Sequence, residues 1–201
     1  MPSRAGSARL TPRFVDALAY AARKHALHTR KASEVPYLGH LLSVAGLVIE
    51  AGGTETQAIA ALLHDAAEDQ GGEQTLAEIR EKFGADVASI VAECSDTLET
   101  PKPPWRERKE RYIHHLHAAS DDAVLVSLAD KLDNARAILR DFRALGDEVW
   151  RRFSVQDSRL HLWYYRSLLD VFGQRSTSWM VDELRDVIGA LEQEIDRPVN
   201  R

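Results

Sequence analysis

The sequence predicts an all-α protein, a compact multi-helix bundle. Apolar residues recur at steps of three and four in segment after segment, for example Leu41, Leu42, Val44, Leu47 and Val48. No alternating apolar pattern of useful length interrupts them, so no sheet is expected. Capping residues, prolines and glycines fall where helices start and stop.

In chain order, residues Met1 to Leu10 are small, polar and basic and read as a disordered lead. Thr11-Pro12 is an N-cap with proline at the first helical position, opening a helix through Phe14, Leu18, Ala21, Ala22 and His25. Pro36 is expected to open a second helix that stops at Gly52-Gly53. A third begins near Glu55 and carries Ile59, Leu62 and Leu63. Thr75 and Glu78 form a capping-box pattern for a fourth, ending at Phe83-Gly84. A short helix covers Asp86 to Glu93. Pro101, Pro103 and Pro104 demand a loop. Helix resumes from Trp105 to His117, then from Asp121-Asp122 through Val124, Leu125, Leu128, Leu132 and Ile138. Two more are expected over Asp147 to Phe172 and Ser178 to Ile195. With no long linker or internal repeat, residues 11–201 read as a single domain.

Composition narrows the function. The 201 residues are 44% hydrophobic and 28% charged, enough for a substantial core. A formal net charge of -5 argues against nucleic-acid binding by bulk charge, while leaving room for a local basic patch. Cys94 is the only cysteine, so no intrachain disulfide forms, and the expected setting is the reducing cytoplasm with Cys94 packed in the core. No stretch of about 18 apolar residues exists, so neither a membrane span nor a membrane partner is expected. The sequence leaves open whether the chain works alone or as a homo-oligomer.

The chemistry gathers at a few positions. His64-Asp65 closes an apolar helix, with Glu68 four residues beyond His64 and Asp69 four beyond Asp65. Four ionisable groups within six positions are costly to bury without a cation, although a solvated helix end is the plain alternative. Asp130 interrupts the apolar run Val124 to Leu132 and shares a face with Asn134. It needs a cation, or a salt bridge to Lys131 or Arg136. His40 follows Pro36-Tyr37; by themselves His40, His25, His28, His114, His115, His117 and His161 read as ordinary histidines. Lys102, Arg106, Arg108, Lys109 and Arg111 form a basic run suited to a phosphorylated ligand, or to a solvated face balanced by Glu107 and Glu110. Arg30-Lys31 reads equally as a cation pair at a helix C-terminus.

Taken together, the order His40, His64-Asp65 and Asp130 resembles the HD phosphohydrolase superfamily. The resemblance is closer still to the hydrolase domain of Rel/Spo alarmone enzymes and the small alarmone hydrolases. It is carried by Ala21-Ala22-Arg23-Lys24-His25, Arg30-Lys31, Pro36-Tyr37, Glu68-Asp69, Phe83-Gly84, Glu107-Arg108-Lys109 and Leu128-Ala129-Asp130-Lys131-Leu132 with Asn134, over about residues 12 to 172. The resemblance implies that His40, His64, Asp65 and Asp130 hold one divalent ion, usually manganese. Glu68 and Asp69 would orient or deprotonate the attacking water. Arg30 and Lys31 would lie along the nucleobase, and Asn134 would meet base or sugar. Lys102, Arg108, Lys109 and Arg159 would reach phosphate. The implied reaction removes the pyrophosphate on the ribose 3′ position of ppGpp-like nucleotides, in guanine or adenine form.

Some positions depart from the family pattern. Leu41 follows His40 where proline is usual, and Gln70-Gly71-Gly72 replaces a threonine-rich stretch. Trp163 stands where a phosphate-contacting tyrosine is common, beside Tyr164 and Tyr165. These changes leave the implied metal ligands intact and alter the pocket wall. Two other readings stand beside the first: an HD phosphohydrolase for another nucleotide, such as a nucleoside monophosphate or NADPH, and a non-catalytic metal-stabilised nucleotide-binding module.

Overall fold

A computed structural model describes residues 9–31, 33–99 and 101–197, and the expected lead over residues 1–10 lies almost wholly outside them. The described chain is all-α. Its helices are α1 (Pro12–Lys24), α2 (Leu38–Glu50), α3 (Glu55–Leu63), α4 (Ala66–Asp69), α5 (Gly72–Phe83), α6 (Ala85–Cys94), α7 (Trp105–Leu116), α8 (Asp121–Leu145), a 3₁₀ turn (Gly146–Arg152), α9 (Ser158–Arg175) and α10 (Met180–Asp196). Among the described residues the one strand-like feature is an isolated antiparallel bridge between Thr29 and Pro36.

Caps explain several boundaries. The Thr11 hydroxyl accepts from the N–H of Arg13, with Pro12 already in the first turn. Thr54 and Gln57 form a reciprocal capping box that starts α3. Ser120 and Asp157 cap α8 and α9.

Four boundaries differ from the sequence expectation. Pro36 does not open α2; it pairs with Thr29 and α2 starts at Leu38, so the segment between α1 and α2 is a closed loop. The Thr75–Glu78 capping box does not form. Helix α5 starts at Gly72 behind Gly71 at φ 125, a conformation open to glycine, and the Thr75 hydroxyl donates instead to the carbonyl of Gln70. The expected helix Asp147 to Phe172 is two elements, because α8 ends at Gly146 with φ 58 and a 3₁₀ turn follows. The last helix starts at Met180 rather than Ser178.

Buried apolar side chains from α1 through α10 form one contiguous cluster. Helix α3 lies at its centre, with every residue from Gln57 to Leu63 buried. It packs between α1, α2, α6 and α8. Burying a side chain such as Leu62 or Leu63 stabilises the fold by about 1.5–3 kcal/mol each. The long α8 spans the bundle and takes α10 on its other side. The α2–α3–α8 packing brings together, at one end of α3, residues far apart in sequence.

Candidate metal centre

Helix α3 ends at Leu63, and His64 and Asp65 keep near-helical dihedrals in a two-residue break before the single turn of α4. The apolar helix thus closes where the polar residues start, as its sequence suggested. The break lets His64 and Asp65 approach one point, although neighbouring residues on a helix diverge by about 100°. His40 comes from the first turn of α2 and Asp130 from the buried side of α8.

His40, His64 and Asp65 present ligand atoms that all lie within 4.8 Å of one another. Asp130 stands outside that mutually close trio but adjoins both imidazoles. Its Oδ1 is 3.2 Å from His40 Nε2 and 3.6 Å from His64 Nε2. Asp65 Oδ2 is 3.0 Å from His64 Nε2 and 3.6 Å from His40 Nε2. Neighbouring ligands on an ion bound at about 2.1 Å stand about 3.0–3.4 Å apart, so the spacing suits a single cation.

Hydrogen bonding gives an independent test of that fit. His64 Nδ1 donates to the carbonyl of Ala61 at 2.8 Å, and His40 Nδ1 lies 2.7 Å from Asp133 Oδ2. Both rings are therefore anchored through Nδ1. Both Nε2 atoms are buried and make no hydrogen bond of acceptable geometry, although oxygens of Asp65 and Asp130 lie 3.0–3.6 Å from them. This is how metal-binding histidines are commonly held. The charge balance agrees. Burial opposes charge on His40, yet Asp130, Asp133 and Asp65 outweigh it and raise its pKa to about 10. His64 is raised likewise against its own burial by Asp65 and Asp130. The cluster calls for positive charge, which protons on the rings or one divalent cation can supply.

Further residues brace the cluster. The Tyr37 hydroxyl donates to Asp65 Oδ2 at 2.5 Å, and burial with the Asp65 charge holds its pKa far above the ordinary range. Asn134 Nδ2 donates to Asp130 Oδ1 at 2.5 Å, and Lys131 pairs with the same carboxylate. The salt bridge to Lys131 that the sequence offered as an alternative to a metal is therefore present alongside the histidine cluster; Arg136 instead pairs with Glu183.

Glu68 and Asp69 sit in α4, just beyond the cluster. Glu68 Oε1 accepts from Lys102 Nζ at 2.7 Å and Oε2 from the N–H of Asp96 at 2.9 Å. Asp69 Oδ1 is 3.9 Å from the same lysine. Burial, with the charges of Asp65 and Glu68, raises the pKa of Asp69 to about 6.

A cavity of about 810 Å³ opens alongside, walled by Tyr37, Lys131, Asp133 and Asn134 on the cluster side. Arg30, Lys31, Lys109, Lys131, Arg140 and Arg152 line it against two carboxylates, Asp133 and Asp141. Trp105, Phe153, His161, Tyr164 and Tyr165 give it an aromatic wall. Lys31 Nζ lies 5.7 Å from the Phe153 ring centre and Lys109 Nζ 4.8 Å from that of Tyr164.

The basic residues divide. Arg30, Lys31, Lys109 and Asn134 line the cavity. Lys102 is at Glu68, and Arg108 pairs with Asp96 while donating to the carbonyl of Pro103. Arg159 does not line the cavity. Helix α9 begins afresh at the Asp157 cap, and its start sends the exposed Arg159 to Asp196 of α10, away from the cavity. Three contributors escaped the sequence reading. Asp133 and Tyr37 touch the cluster directly, and His25, set aside as ordinary, is buried near it with burial and His28 lowering its pKa to about 4. The i, i+3 spacing of Asp130 and Asp133 on a buried helix face is the signal that could have found Asp133. Cys94 is buried, its thiol pushed up to about 11 by desolvation, which fits a packing role.

Comparison with known proteins follows the same lines. The family model described as HD domain matches residues 17–157. The guanosine-3′,5′-bis(diphosphate) 3′-pyrophosphohydrolase MESH1 of Xenopus tropicalis is 40% identical over 147 residues, 72% of this chain and 77% of the relative. The Homo sapiens protein of that name is also 40% identical, with the same coverage. A solved structure described as a metazoan ortholog of SpoT that hydrolyzes ppGpp and plays a role in starvation responses is similar at a TM-score of 0.72. It is 29% identical, with 90% of this chain and 96% of that chain covered.

Proposed function

The chain belongs to the HD domain family, and from that membership we propose that it is a metal-dependent phosphohydrolase removing the 3′-pyrophosphate from ppGpp-like nucleotides. One arrangement carries the reading. Two unpartnered Nε2 atoms and two carboxylates converge beside a cavity whose wall holds six cations and two carboxylates. A nucleotide bearing two diphosphates is an anion of matching sign, and its base is a flat apolar surface suited to the aromatic wall.

His40, His64, Asp65 and Asp130 would hold the cation. Their mixed nitrogen and oxygen donors suit a borderline or hard ion, and manganese is the proposed one. A bound divalent ion supplies Lewis acidity and lowers the pKa of water held on it.

The chain's own groups do the rest. Glu68, fixed by Lys102 and the N–H of Asp96, orients the attacking water. Asp69, raised to about 6, takes a proton near neutral pH, where a general base works best. Arg30 and Lys31 hold the base, Lys109 meets phosphate, and Asn134 keeps Asp130 in place while facing the sugar. No described helix is long and apolar enough to cross a membrane. The proposed setting is the cytoplasm.

The test is to screen the manganese-loaded protein against ppGpp, ppApp, NADPH and nucleoside monophosphates. The expected result is pyrophosphate and GDP from ppGpp, abolished by chelation and restored by Mn2+. Turnover of NADPH or a monophosphate with ppGpp untouched would overturn the substrate and keep the phosphohydrolase. Binding of ppGpp without turnover of any compound would leave a binding module.

A further inference from the structure

One imidazole of the cluster lies between two carboxylates from the same helix, bonded at Nδ1 and adjoined at Nε2. His40 Nε2 faces Asp130 Oδ1 at 3.2 Å, and His40 Nδ1 faces Asp133 Oδ2 at 2.7 Å. Asp130 and Asp133 are three residues apart on α8, so both project toward α2. The ring between them has no solvent exposure.

Asp133 is fully engaged. The Arg30 guanidinium donates to Oδ2, the oxygen that also faces His40 Nδ1. The Ser43 hydroxyl, three residues beyond His40 on α2, donates to Oδ1. A carboxylate needed only to anchor the Arg30 loop would not have to meet both His40 and Ser43. The other cluster histidine is held differently: His64 Nδ1 donates to the neutral carbonyl of Ala61.

We propose that Asp133 is a positioning residue that fixes the Nδ1–H tautomer and orientation of His40, and links that ring to Arg30 at the cavity wall. The proposal rests on the metal reading of the cluster. With the proton kept on Nδ1, the Nε2 lone pair faces the site that Asp65, His64 and Asp130 enclose. A carboxylate partner makes the ring a stronger donor than a carbonyl partner does. The link to Arg30 ties the loop between α1 and α2, through one oxygen atom, to a residue of the cluster.

The experiment measures Mn2+ affinity by titration, reading free ion by electron paramagnetic resonance. It compares wild type with Asp133→Ala, Asp133→Asn, Arg30→Ala and His64→Ala. Nitrogen NMR of histidine-labelled, metal-free protein, held above pH 10 so that the His40 ring is neutral, reads its tautomer in parallel. Asp133→Ala is expected to weaken Mn2+ by about 10–100-fold and to release the tautomer, with Asp133→Asn between it and wild type. Arg30→Ala is expected to raise KM while Mn2+ affinity stays within about threefold, because His40 keeps its carboxylate. Mn2+ affinity in Asp133→Ala within twofold of wild type, with His64→Ala strongly weakened, overturns the proposal and spares the metal reading. Absence of Mn2+ binding by wild type sinks both. Should Asp133→Ala fail to fold, Asp133→Asn decides: unchanged affinity with an unchanged tautomer overturns the role.

Discussion

Lys102 Nζ lies 2.7 Å from Glu68 Oε1, so a lysine of the proline-bounded loop before α7 holds a carboxylate next to the histidine–aspartate cluster. The N–H of Asp96 takes the other oxygen of Glu68 at 2.9 Å. Fixed on both sides, Glu68 can orient a water without reorganising, which suits a group acting in the transition state.

Replacing Glu68 by Gln keeps the size and removes the charge. Turnover is expected to fall by about 10²–10⁴-fold, while Mn2+ and nucleotide affinities stay near wild type. The measurement is kcat with both affinities on the same preparations. Unchanged kcat would remove Glu68 from the reaction.

Tyr37→Phe deletes the hydroxyl that donates to Asp65 Oδ2 at 2.5 Å and keeps the ring stacked on His28, 4.0 Å between centres. Mn2+ affinity should drop by about tenfold with the melting temperature little changed. A metal titration checks this; equal affinities would mean that Asp65 needs no brace.

Lys31 faces the cavity over Phe153, whereas Arg159 is turned to Asp196. Lys31→Ala is expected to raise KM for the best substrate more than it lowers kcat, the mark of uniform binding. Arg159→Ala should leave both constants within about twofold. The opposite ranking would show that substrate approaches from the α9–α10 side.

His25 gives a pH signature to the metal-free fold. Its folded pKa is about 4, set by burial first and His28 second, against 6.5 in an unfolded chain. The folded state keeps the ring neutral, so between pH 6.5 and 4 the unfolded chain binds more protons. The contribution is fully present above 6.5 and is lost as pH falls toward 4, by on the order of 3 kcal/mol. Denaturant unfolding of wild type and His25→Gln across this range reads it: the stability difference should shrink as the solution is acidified. A difference independent of pH would show that His25 charges in place.

Much of the cluster was legible because its chemistry breaks the local pattern. Asp130 in an apolar run and His64-Asp65 at the end of a buried helix are polar residues where the periodicity demands apolar ones. The cap at Thr11 was legible for the same local reason, whereas the Ser120 cap of α8 comes from the structure. Contacts made across the fold were hidden. Asp133 beside Lys131 looks like part of a solvated face until α2 is set against α8. Tyr37 and His25 lie in motifs that carry the family resemblance, yet nothing in those motifs gives either a contact with the cluster. Gly71 and Gly72 stood out only as a departure from the family pattern, whereas Gly71 is the residue behind which α5 starts. Arg159 was offered to phosphate by the resemblance alone, and its partner Asp196 lies on α10, a contact the sequence does not show.

Helix α10 packs along α8 with Met180, Leu184, Ile188 and Leu191 buried, and Arg136–Glu183 and Arg143–Glu194 pin the two helices together. The family match stops at residue 157, before α9 and α10. A chain cut there would keep His40, His64, Asp65 and Asp130 and yet uncover one flank of the helix that carries Asp130. A chain ending at residue 157 is therefore expected to expose that apolar flank and to aggregate rather than act as a minimal enzyme, which expression and light scattering of the truncated form would check.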